Sequence, residues 1–152
     1  MVAVLGGCGY TSKPLINPQY QTIAIDIFEN QTPYRDFEFV LQRALTNRVT
    51  SATHMRLAPK DKADTLLTGQ IANYEQVVLT EDENDRVKAI QVIITLNYEW
   101  RDLRTGQAIR KMDGFRRSAE ATFALGETRD TAAAKVLADV AESLIEQLEE
   151  GW

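Results

Sequence analysis

The sequence predicts an α+β two-layer sandwich, with one antiparallel sheet of about four strands covered on one face by two helices. Three observations carry that prediction. Ile90, Val92, Ile94, Leu96, Tyr98 and Trp100 share one phase of a period-two pattern while Gln91, Thr95, Asn97 and Glu99 hold the other, which describes a strand with one dry and one wet face. Near the C-terminus, Ala133, Val136, Leu137, Val140, Ala141, Leu144, Ile145 and Leu148 form one stripe at helical spacing. A second helical pattern lies earlier, between a first strand and a run of later ones, and two helices with one apolar stripe each must bury it against a sheet.

Taken in order, Thr22 to Phe28 places Ile23, Ile25 and Ile27 on one face of a strand, which Glu29-Asn30-Gln31-Thr32-Pro33 stops. Phe37, Leu41, Ala44, Leu45 and Val49 then follow helical spacing over about 34–51, with Thr32 as N-cap and Pro33 at the first helical position. His54 to Leu57 reads as a short strand ended by Pro59. Two long strands follow, Thr65 to Thr80 and Val87 to Arg101, joined by the acidic turn Glu81 to Arg86. Gly69 weakens the first of them and marks a bulge or a close approach of backbone. Asp102 to Gly106 reads as a tight hairpin loop. A further strand region, Gln107 to Ala124, is interrupted near Asp113-Gly114 and keeps Phe115, Ala119, Ala121 and Phe123 in one phase. The closing helix spans about 128–149, with Gly151 as its stop.

A chain of 152 residues suits one domain, and a domain of that size buries about 68–70% of its unfolded surface without metals or disulfides. No window approaches the roughly 20 apolar residues of a membrane-spanning helix. The net charge of −5 argues against a nucleic-acid partner. A single cysteine excludes an internal disulfide.

That cysteine, Cys8, stands in Leu5-Gly6-Gly7-Cys8-Gly9-Tyr10, where small residues precede it as a lipoprotein signal peptidase requires. Cleavage there would free the thiol for acylation, and each buried methylene of an acyl chain contributes about 0.8 kcal/mol of membrane affinity. Residues 1–8 then read as the remnant of a signal ending in its lipobox, 9–21 as a tether containing Pro14 and Pro18, and 22–152 as the domain. The leader lacks a basic n-region, which leaves a second reading open, a free thiol in a structureless terminus.

No motif asks for a cofactor, a metal or a catalytic centre. His54 has no cysteine, serine or carboxylate partner in a recognisable pattern, and no P-loop, G-x-G-x-x-G, H-E-x-x-H or G-x-S-x-G occurs. Glu81, Asp82, Glu83 and Asp85 are oxygen donors of the type calcium takes, but they lack EF-hand spacing and read as a solvated turn. Charge is more informative. Arg101, Arg104, Arg110, Lys111, Arg116 and Arg117 stand against only Asp102 and Asp113 between positions 101 and 117. Such a run is either a patch for phosphate or carboxylate groups or the ordinary wet face of strands and a turn.

Several stretches, in their order and spacing, resemble the LptE family, outer-membrane lipoproteins of lipopolysaccharide assembly. They are Cys8-Gly9-Tyr10, Phe28-Glu29-Asn30-Gln31-Thr32, Phe37-Glu38-Phe39 with Ala44-Leu45, Leu67-Thr68-Gly69-Gln70-Ile71, and Trp100 through Gly106. The resemblance implies a sheet backed by two helices, lipidation at Cys8, and a non-enzymatic role at the periplasmic side of the outer membrane. It further implies an LptD-like β-barrel partner whose lumen the domain plugs, and help for lipopolysaccharide on its way to the cell surface. A basic patch against lipid A phosphates is also implied, with Arg101, Arg104, Arg110, Lys111, Arg116 and Arg117 as candidates. Thr22-Ile23-Ala24-Ile25 running into Phe28-Glu29-Asn30 also resembles other periplasmic lipoprotein modules, which activate a cell-wall synthase or line a secretion pore. A cytosolic domain is the third alternative.

Overall fold

The computed structural model describes residues 20–150; Cys8, the expected leader, the tether as far as residue 19, and Gly151 lie outside that range. The elements are β1 (Thr22–Ile25), β2 (Glu29–Asn30), α1 (Phe37–Ala52), β3 (Arg56–Leu57), β4 (Thr65–Glu81), β5 (Val87–Asp102), β6 (Ala108–Thr122), a 3-10 turn (Phe123–Leu125) and α2 (Arg129–Glu150). They form the expected two layers, with the helices on one face of a single sheet.

Among the described residues the sheet has six strands in the order β3-β1-β4-β5-β6, with β2 also against β4, and so exceeds the expected four. It is mixed where a wholly antiparallel sheet was expected. β4, β5 and β6 are antiparallel neighbours, whereas β1 lies parallel to β3 and β4, and β2 parallel to β4. The reason is the helix between them: a strand that leaves through α1 and returns to the same sheet comes back in its original direction. Asp64 fixes that return. Its carboxylate accepts the N–H groups of Gln21 and Thr22 and the Thr22 hydroxyl at 2.9–3.0 Å, while its own N–H donates to Thr22 Oγ1 at 2.9 Å.

The dry face of β5 is the one the alternation predicts, with Ile90, Val92, Ile94, Leu96, Tyr98 and Trp100 all buried. α2 lies over β5 and β6, and its predicted stripe from Ala133 to Leu148 is buried throughout. α1 buries Phe37, Leu41, Leu45 and Val49 at a spacing of four. Its start differs from expectation. Thr32 caps no helix; it donates its hydroxyl to Asn30 Oδ1, and the helix begins at Phe37 after Asp36, whose φ is 70°. Asn30 holds this corner by donating to Tyr34 O and Glu38 Oε2, and Tyr34, Phe37 and Tyr74 pack their rings together.

β6 contains one extra residue relative to β5. Leu96 pairs with Phe115 but Tyr98 with Met112, so Asp113 and Gly114 bulge opposite Asn97, Gly114 takes φ 73°, and its N–H donates to Asn97 Oδ1 at 2.8 Å. Phe123, expected on the dry face of that strand, instead starts the 3-10 turn.

Candidate functional site

The β5–β6 hairpin that carries most of the basic residues is built around a buried carboxylate. Asp102, 6% exposed, accepts the Tyr20 hydroxyl at 3.0 Å and the N–H groups of Arg104 and Thr105 at 2.7 and 3.2 Å. Burial would raise its pKa, but these donors and the charge of Arg104 outweigh it, and the carboxyl lies below its ordinary value. Tyr20, read from sequence as the end of a tether, is buried here, edge-on to Trp100 and under the Arg104 guanidinium, whose carbon lies 5.4 Å from the ring centre. Gly106 closes the loop at φ 72°.

The structure separates the six basic residues over three locations. Arg101 and Lys111 project from the uncovered face of the sheet, on either side of Glu99, with which Arg101 forms an ion pair. Arg104 sits in the loop itself. These three share one end of the sheet. Arg110 and Arg117 point to the opposite face, under α2. Arg110 donates to the carbonyl of Gln147, and Arg117 donates to Ser143 Oγ, approaches Asp139 at 3.8 Å and lies 4.4 Å over the Phe115 ring. Both act as struts between the edge strand and the helix. Arg116 is on the open face but stands opposite Thr95, four positions along β5 from the partner of Lys111 and so roughly 13 Å away along the strand, and it pairs with Glu75 across β5 at 3.3 Å.

Sequence spacing failed to sort these residues because the Gly114 bulge shifts the phase between Lys111 and Arg116. Without it, Arg110 and Arg116 would have shared a face. Near the basic trio the open face forms a shallow trough of about 280 Å³, lined by Thr68, Gln70, Asn97, Glu99, Lys111 and Asp113 among others. It can exchange hydrogen bonds and mixed charge with a polar surface.

The other singled-out residues have structural settings. Asp82 organises the acidic turn by accepting the N–H groups of Asn84 and Arg86 and the Arg86 guanidinium. Among the described residues no group of His, Cys, Asp and Glu is placed to hold a metal, and no helix is long and apolar enough to cross a membrane. Sequence reasoning missed the outer edge of β4, where Val77, Val78 and Leu79 are exposed. The signal was present: a Val-Val-Leu run breaks the alternation that a half-buried strand needs.

Comparison with known proteins agrees with this architecture. A model of the lipopolysaccharide-assembly family LptE matches residues 20–149. The fold is similar to the solution structure of lipoprotein B from Nitrosomonas europaea, at TM-score 0.63 and 13% identity over 98% of this chain and 91% of that one. Protein XCC0632 from Xanthomonas campestris is similar at TM-score 0.62 and 12% identity, over 90% of each chain. A PelC dodecamer subunit from Paraburkholderia phytofirmans is similar at TM-score 0.53 and 15% identity, over 84% of this chain and 89% of that one. At these identities the likeness is one of fold. No curated protein sequence matches the chain.

Proposed function

The chain belongs to the LptE family of lipopolysaccharide assembly, and from that premise we propose that it is a lipid-anchored assembly factor of the outer membrane. In this reading Cys8 carries the acyl anchor, residues 9–19 are the leash, and the domain that begins at Tyr20 docks inside an LptD-like β-barrel and assists lipopolysaccharide toward the cell surface. It acts by binding and positioning. The observation that carries the reading is the extent of the family match, which spans residues 20–149 and so takes in every strand among the described residues, all of α1 and α2 to within its last residue. The polar, uncovered sheet face supports it, because the lumen of an outer-membrane barrel is itself polar.

Of the six cations, Arg101, Arg104 and Lys111 are our candidates for the phosphates of lipid A, since they share one end of the sheet and project into solvent. Arg110 and Arg117 leave the candidate set because their guanidinium groups are engaged with α2, and Arg116 because it stands apart and pairs with Glu75.

The test is expression with a complete leader, extraction in mild detergent and mass spectrometry of what comes with it. The expected result is acylated Cys8 and a co-purifying β-barrel of far greater mass. Acylated protein with no barrel attached would remove the plug reading. Arg101→Glu, Arg104→Gln and Lys111→Glu together should abolish capture of lipopolysaccharide aggregates with the circular dichroism unchanged, and undiminished capture would retire the trio.

A further inference from the structure

The trough on the uncovered face is built from two adjacent rows of side chains that cross the sheet. In one row Glu29, Gln70 and Asn97 stand side by side on β2, β4 and β5, and the bulge of β6 brings Asp113 to the end. In the next, Thr68, Glu99 and Lys111 stand across β4, β5 and β6. All of them line the space of about 280 Å³, close to the lower end of the roughly 300–1,000 Å³ range of small-molecule sites. Among the described residues no apolar side chain opens into it. Its other members are Gly69 and Tyr98, and the Tyr98 side chain is turned to the opposite face, where its hydroxyl donates to Gln147 of α2.

Three of these groups are held by one atom and left open at another. Asn97 Oδ1 accepts the Gly114 N–H, which leaves the amide nitrogen to donate. Gln70 Oε1 accepts from Gln31 Nε2 at 3.0 Å, which frees the Gln70 nitrogen, and Arg101 engages one oxygen of Glu99 and not the other. The side chains of Glu29, Thr68, Lys111 and Asp113 have no hydrogen-bond or ion-pair partner among the described residues. The trough thus offers carboxylate acceptors, N–H donors and a hydroxyl, set beside one another in both rows. That mixture selects its ligand. A phosphate or carboxylate group would lie among the carboxylates of Glu29, Glu99 and Asp113 with only Lys111 to offset them. A bare cation would face the Lys111 ammonium and two amide NH₂ groups. An apolar group would strip water from every polar neighbour and return no hydrogen bond. A hydroxyl both donates and accepts, so a ring that carries several can meet each neighbour in the role that neighbour leaves open.

We propose that this trough is a sugar site, which seats a neutral sugar unit of a glycan across β4, β5 and β6 by hydrogen bonds alone. No ring stacks on the sugar, and each hydrogen bond it makes replaces one to water, so a single free unit binds weakly, in the millimolar range. The proposal goes beyond the assembly-factor reading, because it concerns hydroxyl groups and not phosphates. Lys111 is common to the trough and to the trio assigned to phosphates, whereas Thr68 and Gln70 belong to the trough alone.

The test is an NMR titration of the isotope-labelled full chain with Cys8→Ser. Glucose, galactose, mannose and N-acetylglucosamine are added separately, followed by the 1-phosphate of whichever binds best. At least one neutral sugar should give saturable shifts of the Thr68, Gln70, Asn97 and Glu99 amides, and its 1-phosphate should bind about tenfold more weakly. Thr68→Val and Gln70→Leu, made singly and together, should each weaken binding several-fold with the circular dichroism unchanged. No saturable shift with any of the neutral sugars would overturn the proposal. So would a 1-phosphate that binds as tightly as its neutral parent, or binding that survives both substitutions undiminished. The titration needs neither a lipid anchor nor a barrel, so its failure and the failure of the co-purification test are separate results.

Discussion

The ring of Phe28 occupies the space in which a side chain at residue 69 would stand. A Cβ built on Gly69 would lie 2.4 Å from Phe28 Cε1 and 2.4 Å from the carbonyl oxygen of Asn97. Phe28, 1% exposed, thereby seats the connection between β1 and β2 directly on the backbone of β4. The glycine is required for space, and one of the two obstacles is main chain and cannot rotate away.

Gly69→Ala should therefore destabilise the fold by about 1–3 kcal/mol, the usual cost of forcing atoms into a packed core. Urea denaturation gives the measurement. Phe28→Leu in the same chain should recover part of the loss, because the two positions share one space and their effects will not add. Simple additivity of the two variants would show that Phe28 is not the obstacle.

Stability should fall on acidification through the carboxylate range. Asp102 and Asp64 both have pKa values held below the ordinary carboxylate value. For Asp102, burial raises the pKa but the Arg104 N–H, the Tyr20 hydroxyl and the Thr105 N–H lower it further; for Asp64, the Gln21 N–H leads against burial, joined by Thr22. A depressed folded-state pKa contributes stability that is present above the unfolded value, about 3.9, and is lost as pH falls through the folded value. Thermal melts should thus hold steady near neutrality and drop below about pH 4. Asp102→Asn should lower the neutral-pH melting temperature and flatten part of that acid slope. An unchanged slope would assign the acid sensitivity to other carboxylates.

The struts and the free cations should respond differently to truncation. Arg117→Ala removes the stack on Phe115 and the contact with Ser143, and should cost about 1 kcal/mol, since a partly exposed cation–π pair is worth about 0.5–1 kcal/mol. Lys111→Ala, an exposed position on the open face, should change stability by less than about 0.5 kcal/mol. Chemical denaturation compares them, and equal costs would contradict the assignment of Arg117 to structure.

The bulge offers a sharper contrast. Gly114→Ala should cost about 1–2 kcal/mol, because the left-handed region at φ 73° disfavours a Cβ even though no atom stands within 4 Å of it. Deleting Gly114 should do far more. It removes the extra residue and either turns Phe115 out of the core or pulls the preceding half of β6 out of register. Loss of cooperative unfolding in the deletion, with Gly114→Asn close to the parent, is the expected pair of results.

Local chemistry wrote much of this molecule into its sequence. The alternation of Ile90 to Trp100 and the stripe from Ala133 to Leu148 identify β5 and α2 and their dry faces, because a side chain's phase along a regular backbone depends only on its neighbours. The hairpin at Asp102 to Gly106 is legible for the same reason. The direction of β1 and β2 beside β4, the start of α1 at Phe37, and the face on which each arginine lies were settled only in three dimensions. Parallel pairing follows from where α1 returns the chain and from the Asp64 clamp, contacts more than 40 residues apart in sequence. The sorting of the arginines follows from one inserted residue at Gly114, which reverses the phase of everything after it. The bare edge of β4 likewise depends on where β2 stops. Periodicity fixes what a segment presents, but which neighbour it presents it to is decided by closure of the whole chain.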